Sequence, residues 1–128
     1  ASGSGTARAD AITTGGQFEQ RWRAARKDPS AEWAVLESVQ PAQLPKIFRL
    51  NLATELMVEI VHAAGQAEGK SEAAAERLEA LAKVPRFSMV VAFMATGEKQ
   101  TILDAFARLG GEGVAQERLD ALKKAYCV

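Results

Sequence analysis

Apolar side chains recur at intervals of three and four residues along most of the chain, the period of helices that bury one face. In QFEQRWRAARK, Phe18, Trp22 and Ala25 share a stripe, and Asp28-Pro29 ends the segment. Ser30 is expected to cap AEWAVLESV, with Trp33, Leu36 and Val39 on one face. PAQLPKIFR begins at Pro41, in a first-turn position where a missing N–H costs nothing, and Pro45 one turn later keeps that helix short or kinked. Asn51 is expected to start NLATELMVEIVHAA, whose stripe of Leu52, Leu56, Ile60 and Ala63 is widened by Met57, Val61 and Ala64. Beyond a turn bracketed by Gly65 and Gly69, Ser71 opens SEAAAERLEALAKV, and Pro85 opens PRFSMVVAFMA. Thr96 is expected to cap GEKQTILDAFARL, which the glycines at 110, 111 and 113 break before AQERLDALKKAY.

A strand period is nearly absent, and Met89–Phe93, the one run rich in strand formers, does not alternate. The pattern predicts an all-α fold, a compact bundle or superhelix of about seven to eight short antiparallel helices. No fixed repeat length marks a solenoid. Residues 1–16 are Gly-, Ser-, Thr- and Ala-rich and read as a flexible linker or a remnant of expression, which leaves 17–128 as the helical domain.

Composition narrows the function. The 128 residues suit one domain, and 48% hydrophobic content supports a real core. Sixteen basic residues balance sixteen acidic ones, so no net field gathers nucleic acid or acidic lipid. No apolar run reaches the length of a membrane span. A single cysteine, Cys127, forms no internal disulfide and reads as a free thiol on a frayed tail in a reducing compartment. Starting at Ala1 without a signal sequence, the chain reads as a piece of a longer protein.

Candidate chemistry is sparse. His62 is the one histidine, and Glu59 three residues away completes no ligand set, so a helix-surface residue is the reading. No Gly-rich loop follows a strand, and the carboxylates lie among Lys and Arg on polar helix faces. These features give no catalytic residue, no cofactor site and no metal site. The cluster Arg21, Arg23, Arg26 and Lys27 surrounds Trp22, which shares the Phe18 face and is expected in the core, so nucleic-acid binding is not expected. PRFSMVVAFMA is the informative stretch. Phe87, Val90, Val91 and Met94 make one face at spacings of three, four and seven, while Met89 and Phe93 fall elsewhere, near Arg86. A helix apolar on both sides is either fully buried or meets a partner. The residues alone leave both readings open.

Phe18 and Trp22, PAQLPKIF with Pro41, Leu44, Pro45 and Phe48, then Leu81, PRFSMVVAFM, GEK at 97–99, Phe106 and ALKKAY follow one another in a characteristic order. The chain resembles, from Phe18 to Tyr126, the C-terminal domain family of RNA polymerase II-associated protein 3, shared with sperm-associated antigen 1 and coiled-coil domain-containing protein 103. Two positions depart from that pattern: Ser88 stands where relatives often carry an acidic residue, and the tail ends Tyr126-Cys127-Val128 without a glycine. The resemblance implies a non-enzymatic α-helical adaptor that docks a RuvB-like AAA+ ATPase. It further implies a cytoplasmic parent, entering the nucleus as well, that holds heat-shock proteins 70 and 90 through its other parts. Such a parent would act as a co-chaperone scaffold for RNA polymerase II, small nucleolar ribonucleoproteins or axonemal dynein. The resemblance makes a protein-binding surface the expected use of the Pro85 helix, with Arg86, Met89 and Phe93 as protein-binding residues and Lys99 and Arg108 at the rim. The alternative is a self-association domain of a dynein-assembly factor using the same patch.

Overall fold

A computed structural model describes residues 14–26, 28–49, 52–66, 69–85 and 87–128. Among them are eight α-helices and one 3-10 turn, with no strand, so the all-α expectation is borne out. In chain order they are α1 (Gly15–Ala25), α2 (Pro29–Glu37), the 3-10 turn (Pro41–Gln43), α3 (Leu44–Ile47) and α4 (Thr54–Gly65). After these come α5 (Ser71–Leu81), α6 (Phe87–Ala92), α7 (Thr96–Gly111) and α8 (Gln116–Ala125).

Three helix starts, those of α1, α2 and α7, differ from the sequence reading for one reason: the group that satisfies the free N-terminal amides decides the boundary. The helix α1 begins at Gly15, two residues early, because Thr14 and Gln17 form a reciprocal capping box. Asp28, not Ser30, caps α2, its carboxylate accepting from the Ser30 and Ala31 amides with Pro29 at the first position. Thr96 is the first residue of α7 rather than its cap, and the Glu98 carboxylate reaches back to the Ala95 amide. The helix α4 starts at Thr54, and Asn51, expected to open it, lies outside the described residues. Residues 1–13, most of the expected linker, also lie outside them. Pro41 and Pro45 act as expected, splitting their segment into the 3-10 turn and the four-residue α3.

The centre of the molecule is α4, buried from Leu56 to Gly65 except at Glu59 and His62. It packs on α7, α5, α2 and α6. Gly65 makes its closest approach: a Cβ there would lie 2.8 Å from both the Cα and Cβ of Ala105 on α7. Six aromatic residues fall into two groups. Phe18 stacks on Trp22 and meets Phe48 edge-on, while Phe87 and Phe106 both point T-shaped at Tyr126. Trp22 is fully buried and its Nε1 donates to Glu59, whose carboxylate also holds the Arg26 guanidinium.

Two buried polar devices lock helix ends. Arg77 on α5 lies over the Trp33 ring and donates to the carbonyls of Leu36, Glu37 and Ala73, closing the C-terminus of α2. Tyr126 donates its hydroxyl to the Leu78 carbonyl at 2.7 Å, and burial pushes that phenol well above its ordinary pKa. The chain end is not frayed. Cys127 and Val128 turn their amides back onto Lys124 and Lys123, a Schellman closure with exposed Cys127 in the left-handed region at φ 57°.

Candidate docking surface on the sixth helix

Within α6 the sequence divides cleanly. Phe87, Val90 and Val91 are buried, as is Met94 just beyond. Met89 and Phe93 are 54% and 74% exposed, the large hydrophobic residues the molecule leaves in water among those described. No charged residue lies within Phe87–Ala92, and Pro85, Ser88 and Ala92 are exposed around the two side chains. Contiguous exposed apolar surface marks interaction sites, and these two side chains, four positions apart, are the candidate for one here.

The buried side fixes this helix in place. Val84, itself buried, accepts the Phe87 amide through its carbonyl, which sets where α6 starts. The Phe87 ring meets Tyr126 with centroids 4.9 Å apart at 82°. At the other end Thr54, on α4, donates its hydroxyl to the Val90 carbonyl at 2.9 Å, and the Phe93 amide reaches the same oxygen. Full burial of the helix, one of the two readings open in the sequence, is therefore not what the fold does.

Of the other residues expected at the site, Arg86 lies outside the described residues. Lys99 and Arg108 are exposed on α7, in its first and last turns. They are separated by nine residues, or two and a half turns, which is about 14 Å along the axis. They thus flank the buried stripe of Ile102, Ala105, Phe106 and Leu109 from opposite sides. Thr54 was missed in the sequence, where it reads as an ordinary residue of a helix start.

Elsewhere the polar groups serve the fold. A shallow cleft between α1 and the start of α4 is walled by Glu19, Arg23, Arg26 and Glu55, with Arg26 already engaged by Glu59. An open trough beside Pro41, Pro45 and Ala80 is edged by Glu76, Glu79 and Lys83. The Glu79 carboxylate there is held below its ordinary pKa by hydrogen bonds from Arg118 on α8. No group of three or more His, Cys, Asp or Glu able to hold a metal ion occurs among the described residues. His62 is exposed and shares a contact with Gln66 one turn on.

Its relatives place this small all-helical body among protein-interaction domains. The chain belongs to the family of the C-terminal domain of RNA polymerase II-associated protein 3, whose model, described as the potential Monad-binding region of that protein, matches residues 11–99. RNA polymerase II-associated protein 3 of Homo sapiens is 28% identical over 113 residues, 86% of this chain and 17% of that protein. The Gallus gallus protein is 26% identical over 115 residues, 88% of this chain and again 17% of the relative. The chain thus corresponds to a small part of the relatives' length. The NMR structure of the C-terminal domain of the human protein superposes with a TM-score of 0.76 at 26% identity, covering 90% of this chain and 87% of that one.

Proposed function

We propose that the domain is the adaptor module of a co-chaperone scaffold and docks a RuvB-like AAA+ ATPase with the outer face of α6. The observation that carries this reading is the exposure of Met89 on α6 and of Phe93 in the turn just after it, opposite side chains that belong to the core. Methionine and aromatic residues are enriched where interfaces are driest, and a few such anchors supply most of an interface's affinity. Family membership and the resemblance to docking domains support a protein as the ligand. In this reading other parts of the parent hold heat-shock proteins 70 and 90, in the cytoplasm and nucleus, during assembly of polymerase, ribonucleoprotein or dynein complexes.

The test is pull-down of a purified RuvB-like ATPase by the domain and by its Met89→Glu/Phe93→Glu variant. Both side chains already face water, so the helical circular dichroism should not change while capture falls at least about tenfold, the loss of a hot-spot pair. Retained capture by the variant overturns the site. A second reading has its own support, because the family description names Monad as the potential partner. The same two proteins tested against purified Monad separate the readings. Sedimentation at rising concentration tests self-association through the patch, which a monomer excludes.

A further inference from the structure

We infer that Thr54 is a positioning residue for this docking face: its hydroxyl bond to the Val90 carbonyl ties the end of α6 to the central helix and sets how Met89 and Phe93 are presented. The inference rests on the docking reading above. Six residues are too few for a helix to persist by itself, so α6 takes its shape from what holds it. Phe87, Val90 and Val91 supply apolar contact, which is strong but non-directional and tolerates small rotations and slides. A hydrogen bond is directional, and the bond across to Val90 reaches a residue 36 positions further along the chain.

Its location gives the bond leverage. The Val90 oxygen accepts from the Thr54 hydroxyl at 2.9 Å and from the Phe93 amide at 3.4 Å. One atom is thus the joint between the central helix and the backbone that carries the most exposed aromatic ring. Tyr126 meets Phe87 at the opposite end, so the helix is fixed at both ends by unrelated parts of the fold. A threonine at the N-cap ordinarily turns its hydroxyl onto free amides of its own helix. Thr54 sits one position past the N-cap, where Ala53 offers no side-chain cap, and its hydroxyl is directed to α6.

The experiment compares Thr54→Val, which keeps shape and loses the hydroxyl, with Thr54→Ser, which keeps the hydroxyl. Amide hydrogen exchange at Phe93 and Met94, with α7 as the internal control, should speed up about three- to tenfold in the valine variant. The dissociation constant for the purified RuvB-like ATPase should rise by a similar factor, and serine should restore both. Unchanged exchange at these amides in the valine variant, or failure of serine to restore it, overturns the tie. Faster exchange with unchanged ATPase affinity overturns the positioning role and leaves the docking reading standing. If the wild-type domain does not bind the ATPase, the docking reading falls, and with it the positioning role, while the exchange measurement still decides whether the tie exists.

Discussion

Cys127 occupies the left-handed position of a Schellman closure, where an L side chain crowds the neighbouring carbonyl and glycine does not. Cys127→Gly should therefore raise stability by about 1 kcal/mol, somewhat less the extra freedom glycine gains when unfolded. A thermal midpoint that fails to rise would show the closure to be unstrained. The sequence displayed the cysteine but not its conformation, because φ at that position is set by where α8 stops. Arg77 was hidden for a similar reason. In SEAAAERLEAL it reads as one more polar surface residue, yet it is buried, and burial lowers its pKa while three carbonyls from two helices hold the guanidinium. Nothing within α5 announces partners that lie in α2. Trp22 and Phe18, by contrast, were legible as core from spacing alone.

At the scale of helices, legibility tracked length. The long amphipathic segments α4, α5, α7 and α8 were recognisable from their period, whereas their starts depended on caps such as Asp28 and Glu98 that local pattern identifies poorly. The two-sided character of α6 was visible, but which side faced water was not, since both are apolar. The junction of α4 with α7 rests on the missing Cβ of Gly65, which the sequence suggested only as a turn residue. Gly65→Ala places a methyl 2.8 Å from the Ala105 backbone, so the helices must separate. A loss of about 1–3 kcal/mol is expected despite alanine's better helix propensity. Denaturant unfolding measures it, and a stabilised variant would show that the helices yield without cost.

Across the whole molecule, two carboxyls respond to pH in opposite senses. Glu79 has its pKa lowered by Arg118, so its contribution is present above the unfolded value of 4.5 and disappears as pH falls through the folded value. Glu32 has its pKa raised, first by burial and then by Glu59, so its charge opposes folding once pH rises above 4.5. Glu32→Gln should accordingly melt higher than the parent at pH 7, and Glu79→Gln lower. The Glu32 difference should shrink toward zero by about pH 3.5, where that carboxyl is protonated folded or unfolded, whereas the Glu79 difference fades only as pH falls through its folded value, below 4.5. Melting curves at the two pH values check the signs. On the same scale, the side chains that hold α6 and those it shows to solvent are disjoint sets: Phe87, Val90 and Val91 on one side, Met89 and Phe93 on the other. In the docking reading, selection on what the helix recognises is thereby uncoupled from selection on folding. A lineage can drift or re-specialise at two positions while the scaffold stays still, and a designer can graft a new binding specificity there without touching the core.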